Sequence, residues 1–290
     1  MTTVVFEALR MRRRRTRTSR GFGVTGIVAT AVVGLAVLAA LLAPVIAPYD
    51  PNEVDFGLTY RPMEPWALLG TDGSGRDILS RLLYGARTSL LGPAVVVLVA
   101  AVVGTLLALV AAISGGWVDR ILSRIFDIGF AFPGLLLAIL AVSVLGPGFT
   151  TAVLALAIAY IPFIARIVRS VAVGEMSLPY LSALVTVGQS RTRIAGRHLL
   201  PAVMPTVLAQ STISFGYAMV DLAALSFLGL GVQPPDADWG LMISEGQRGV
   251  LQGYWEEATF AGLAIVIVVA AVSLIGDRLA DRVSLNREGR

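Results

Sequence analysis

The chain has 290 residues, of which 56% are hydrophobic and 14% charged, with a formal net charge of +4. All its basic side chains are arginine, cysteine is absent, and His198 is the single histidine. This excludes a P-loop or Schiff-base lysine, disulfides, iron–sulfur clusters, thiolate zinc sites and multi-histidine metal sites, so a catalytic reading starts weak.

The apolar residues form long blocks, each close to the roughly 20 residues that cross a bilayer as a helix. An all-α membrane protein with six transmembrane helices is expected. Residues 1–21 form an Arg-rich tail, and 22–46 a first span too long for the apolar region of a cleaved signal peptide. The polar segment 47–87 contains four prolines and the turn cluster Gly70–Gly75. Within it, Ile78, Leu79, Leu82 and Leu83 share one helical face, which predicts a short interfacial helix capped by Asp72 or Ser74. Further spans are expected at about Ser89–Ile113, Ile121–Leu145, Thr150–Val168, Val203–Leu228 and Ala258–Ile275. The last four of these gaps hold Ser114-Gly115-Gly116, Gly146-Pro147-Gly148, a polar segment Arg169–His198 and a Gly/Pro/acidic loop Gly229–Glu257. Residues 283–290 form a short tail.

Arginine counting orients the chain. With the N-terminus inside, 18 of 23 arginines face the cytoplasm and five (Arg61, Arg76, Arg81, Arg87, Arg248) lie outside, where eleven acidic residues also fall. The positive-inside rule then places both termini in the cytoplasm. A tail touching anionic lipid explains the Arg run more cheaply than nucleic-acid binding.

The segment 174–201 is long for a connection between spans. Ser177 and Pro179 suit a first helical turn and Gly188 a left-handed C′ position, so a helix of about Ser177–Val187 is expected. A second piece, Arg191–Leu200, is expected to stop at Pro201. The rod, roughly 15 Å long, carries Leu181, Leu184 and Val185, which need cover. Amphipathicity leaves two readings open: a helix resting on lipid, or a protrusion that docks into a soluble partner.

Ser182-Ala183-Leu184, Gly188 and His198-Leu199-Leu200-Pro201 match the spacing of the EAA loop of ABC importer permeases. Arg197-His198-Leu199-Leu200-Pro201 resembles the peptide-transport branch, although Ser182 replaces Glu, Leu184 the second Ala, and Val185 a frequent Arg. The segments Leu69–Leu90 and Leu225–Pro235 with Trp239-Gly240 resemble C-type subunits of dipeptide and oligopeptide permeases.

This resemblance implies a type I ABC importer permease fold in a bacterial inner membrane, with a core over 88–282. It implies a B-type permease partner, two ATPases or one fused ATPase that bind ATP and Mg, and an extracytoplasmic substrate-binding protein; this chain itself holds no cofactor. It implies ATPase coupling through Tyr180, Leu181, Ser182, Ala183, Leu184, Gly188, Arg197, His198 and Pro201. Docking of the binding protein would involve Asp72, Arg76, Asp77, Gln233, Pro234, Pro235 and Trp239. Di- or oligopeptides are the expected substrates; a nickel complex, glutathione or haem is the alternative.

Asp221, a carboxylate inside the fifth span, is a candidate for the translocation path or else a packing contact. Asp127 is expected to pair with Arg124 one turn away, and His198 to serve as a loop hydrogen-bond donor. A self-contained secondary transporter would need repeats or several intramembrane ionisable groups, and Asp221 is the one clear candidate.

Overall fold

The structure, a computed structural model, describes residues 24–288, with the side chains of Ser182 and residues 281–288 outside that description. The Arg-rich tail 1–21 and its expected topology role lie outside the described residues. Among the described residues there are ten α-helices and no strands. They are α1 (Val24–Ile46), α2 (Ile78–Ser114), α3 (Gly116–Ala131), α4 (Gly134–Leu145), α5 (Phe149–Met176), α6 (Pro179–Thr186), α7 (Arg191–Ile194), α8 (Leu200–Phe227), α9 (Trp239–Leu251) and α10 (Glu256–Glu288).

Helices α1, α2, α5, the α7–α8 run and α10 are each long and apolar enough to cross a membrane. The sixth crossing differs from expectation. Instead of one rod over Ile121–Leu145, α3 and α4 meet at 85°. Pro133 lacks an N–H and excludes its predecessor from the helical region, and Phe132 is extended at φ −101°, ψ 134°. The pair nevertheless carries the chain from one end of the bundle to the other. The backbone carbonyl just before α3, on Ile113, accepts a bond from Arg191 at the end bearing α6 (the proximal end). Just after α4, Gly148 N–H donates to Leu230 O at the opposite, distal end (3.1 Å). The six-crossing count therefore holds with one crossing in two pieces.

The core explains why the rods stay together. One apolar cluster joins α2, α5 and α8 through Val96, Ala100, Leu156, Ile164, Val203 and Leu225. Another joins α1, α2, α8, α9 and α10 through Ala40, Ile78, Met219, Met242 and Val268. α1 buries its small residues Gly26, Ala29, Ala40 and Ala43 and leaves Val24, Leu35, Leu41 and Val45 exposed. Small residues inward and large apolar ones outward is the pattern that lipid selects, because lipid already solvates the large side chains.

At the distal end the expected interfacial helix does not exist as a separate element. Its residues begin the 37-residue α2, and Ile78 and Arg81 are buried. Asp77, not Asp72 or Ser74, caps α2 by accepting from Ser80 N (2.7 Å). Asp72 instead closes the preceding turn, accepting from Ser74 N and Arg76 N. Gly75 must be glycine there: its φ is +76° and a Cβ would overlap Asp55 O.

The expected loop Gly229–Glu257 contains helix α9, which sequence reasoning missed. Asp238 caps it, accepting from Gly240 N and Leu241 N. The same carboxylate accepts from Ser89 Oγ (2.8 Å) on α2, and Trp239 Nε1 donates to Leu82 O. Burial pushes the Asp238 carboxyl up, while hydrogen bonds from Ser89, Ser226 and the α9 amides pull it back.

Two arginines lock this distal unit. Arg76 pairs with Asp72 (2.6 Å) and Glu245 (2.8 Å), and Arg81 with the same Glu245 oxygen (2.7 Å). Arg81 also donates to Pro51 O and Pro235 O, so a single side chain ties two loops, α2 and α9. Because Arg81 is fully buried, removing its charge leaves Asp72 and Glu245 to share Arg76 as their one remaining cation among the described residues. Arg81→Leu is expected to lower stability by about 3–5 kcal/mol, read as a fall in the thermal midpoint of detergent-solubilised protein. An unchanged midpoint would contradict the locking role.

Candidate functional site

Three places carry the residues singled out in the sequence. The first is the proximal connection between α5 and α8. α5 runs to Met176, eight residues past its expected end. Ser177 therefore closes α5, its hydroxyl donating to Gly174 O, and does not open the next helix. Pro179 does stand in the first turn of α6, as expected. Gly188 has φ +82° and ends α6 in a two-bond Schellman cap: Gln189 N–H donates to Leu184 O and Gly188 N–H to Val185 O.

The second helical piece does not stop at Pro201. α7 passes through one π-helical turn, Ala195–Leu199, straight into α8, with Leu200 N–H bonding Ala195 O. The wider turn makes room for the Pro201 ring, which would otherwise collide with the carbonyl four residues back. α6 and the π turn thus form one stiff elbow between two membrane helices.

The faces of α6 are reassigned. Leu181 is fully buried in the chain's own core and Leu184 packs on it, so neither needs a foreign partner. Ala183, Val185 and Val187 are exposed, the last at 85%, and Tyr180 is half exposed. Arg197 and Pro201 are exposed and His198 is partly buried.

The second place is a cleft of about 380 Å³ between α3, α4, α5 and α8. Its floor is Asp221, whose Oδ2 accepts from the Tyr160 hydroxyl (2.8 Å). Phe130, Phe132, Phe163 and Tyr217 form its walls, and the α3–α4 break opens onto it. At the rim, Phe130 stacks on Phe163, and the Arg166 guanidinium lies 4.9 Å from the Phe130 centroid. Asp127 pairs with this Arg166 (3.7 Å, both exposed), which corrects the expected Arg124 partner. Asp119, one turn into α3, makes the better-formed pair, a two-bond fork from Arg169 at 2.6 Å.

The third place is the distal surface. Gln233, Pro234 and Pro235 are exposed there, with Gln233 Nε2 closing its own turn onto Gly229 O and Gly231 O. Asp72, Arg76, Asp77 and Trp239 are buried, so their side chains hold the unit together and do not face outward as expected. Asp50, Glu53, Asp55 and Asp236 are the acidic residues that do face outward.

Comparison with known proteins agrees with this architecture. Residues 100–286 match the family model described as binding-protein-dependent transport system inner membrane component. Residues 25–65 match the N-terminal TM domain of oligopeptide transport permease C. The di/tripeptide transport system permease protein DppC of Pseudomonas aeruginosa is 41% identical over 253 residues, 85% of this chain and 83% of that protein. The glutathione transport system permease protein GsiD of Pectobacterium atrosepticum is 39% identical over 248 residues, 85% of this chain and 82% of that one. An inward-facing structure of the MetNI methionine ABC transporter superposes with a TM-score of 0.58 at 21% identity, covering 70% of this chain and 96% of that one. That likeness concerns the fold.

Gly188→Val forces a β-branched residue to positive φ, at a cost of about 1–2 kcal/mol. Amide exchange should quicken over 184–190 while the midpoint of global unfolding stays put. Unchanged exchange would show that the cap does not hold α6.

Proposed function

The chain belongs to the family of binding-protein-dependent transport system inner membrane components, and from that premise we propose how it works within its transporter. It is a multi-pass permease subunit with the type I ABC importer fold. Peptides of two or three residues are its substrates, on the strength of the relatives that align over most of its length. The glutathione permease relative fits the same class, since glutathione is itself a small peptide with a free amine.

The proximal elbow faces the cytoplasm, a reading supported by the arginine distribution. Two ATPases, or one fused ATPase, bind ATP and Mg and seat against α6. A homologous permease supplies the other half of the path, and a binding protein delivers substrate to the distal surface around Gln233–Asp236 and Asp50–Asp55.

The observation that carries this reading is the elbow itself. α6 is capped at its end and anchored by Leu181, yet its Ala183 and Val187 side stands clear of the bundle. A push on that side reaches α5 through the two-residue junction of Ser177 and Leu178, and α8 through the hydrogen-bonded turn 187–190. α8 carries Asp221 and α5 carries Tyr160, so the same motion reaches the cleft. Coupling of this kind needs a stiff element with two alternative placements, which a short capped helix provides.

Ala183→Arg and Val187→Arg should leave membrane insertion intact but abolish both co-purification with the ATPase and ATP-dependent uptake. Normal uptake in both variants, with the ATPase still bound, would refute docking at this face. Leu181→Arg should instead lower the amount of folded chain, since it places a charge in the core.

A further inference from the structure

The Asp221 carboxylate has no counter-charge among the described residues. It lies six residues from the end of α8, inside a segment that crosses the membrane, where an uncompensated charge is costly. Its one hydrogen-bond donor among the described residues is Tyr160, and that bond goes to Oδ2 alone. No arginine or histidine among the described residues stands within ion-pair distance of it. The nearest rim cation, Arg166, is engaged by Asp127 and the Phe130 face.

Asp221 lines a cleft whose other large side chains are all aromatic, with Gly129, Gly134 and Ala159 between them. An ammonium group is the complement of such a place. It offers three donors to a carboxylate, and its charge is attracted to aromatic faces as well. A metal ion is disfavoured, because Asp221 is the only anionic ligand lining the cleft. The volume, about 380 Å³, falls within the roughly 300–1,000 Å³ range of small-molecule sites.

We propose that Asp221 and Tyr160 form a subsite that holds the free α-ammonium group of a substrate in transit, with Phe130, Phe132 and Tyr217 accepting the adjoining side chain. The inference rests on the peptide-permease reading above and deepens it. It gives the permease a chemical selection of its own, separate from that of any binding protein: N-blocked substrates lose their hold in the membrane. Tyr160 is the positioning residue, fixing the rotamer of Asp221 through one oxygen and leaving the other for substrate.

The test uses the complete transporter in nanodiscs without ATP. The probe is alanyl-photo-leucine, a dipeptide carrying a diazirine, compared with its N-acetyl derivative. The free-amine probe should label the segments around Phe130, Tyr160 and Tyr217 about tenfold more than the N-acetyl form, the factor a charge-assisted contact carries. Asp221→Asn should erase that difference, Asp221→Glu should keep it, and Tyr160→Phe should reduce it.

Equal labelling by the two probes, or undiminished preference in Asp221→Asn, overturns the subsite. Failure of the Asp221→Asn chain to assemble with the second permease also overturns it, because the carboxylate would then pair across that interface. ATP-driven dipeptide uptake by the wild-type transporter is measured in parallel. Uptake with no amine preference sinks the subsite alone, whereas absence of uptake sinks the peptide reading and the subsite with it.

Discussion

In the hydrocarbon of a bilayer there is no water to satisfy a peptide group, so a chain can cross only where each N–H and C=O finds its partner inside the protein. This constraint explains why the described chain is helical almost throughout. It also gives meaning to the places where the helices fail. Irregular backbone at membrane depth is tolerated only against protein or beside a polar cavity, and the break at Phe132–Pro133 obeys that rule by opening onto the Asp221 cleft. The other irregularity, the π turn at Ala195–Leu199, stands at the bundle's end, where α6 joins α8. Departures from regular structure thus fall at the candidate path and at the candidate lever.

Prolines illustrate how context decides. Pro44, Pro93, Pro162 and Pro205 all sit inside helices that continue past them. Pro133 does end a helix, with Phe132 extended before it and Gly134 starting the next helix beside the cleft. Pro201 is absorbed by a wider turn. Hydropathy registers each of these as a short dip in an apolar block, so the count of crossings was legible and the bend was not. The same limit hid α9. Its buried positions Trp239, Met242, Gly246 and Gly249 have helical spacing, but two of the four are glycines, which read as loop. There, glycine provides close packing.

The candidate coupling segment was legible because its signals are local: a proline in the first turn and a glycine forced to positive φ. Which face of α6 meets a partner was not legible. Leu181 and Leu184 look like an apolar docking face in sequence, yet they belong to the bundle's core. The surface left for a partner is small-sided and uncharged, around Ala183 and Val187. The departures at Leu184 and Val185 from the usual family pattern then have different meanings: the first is packing, the second is exposed. Charged residues were misread at the distal end for a related reason. Asp72, Arg76 and Arg81 look like surface, but mutual pairing lets them be buried.

In the proposed mechanism, force applied at α6 reaches Asp221 through α8 and Tyr160 through α5, which makes the elbow its central element. The chain lacks cysteine, so a single Val187→Cys substitution accepts a benzophenone maleimide at the most exposed point of the elbow. Illumination of the labelled transporter in its own membrane should yield one dominant adduct, between this chain and an ATPase subunit. An adduct with lipid alone, or with a protein on the opposite side of the membrane, would contradict the account.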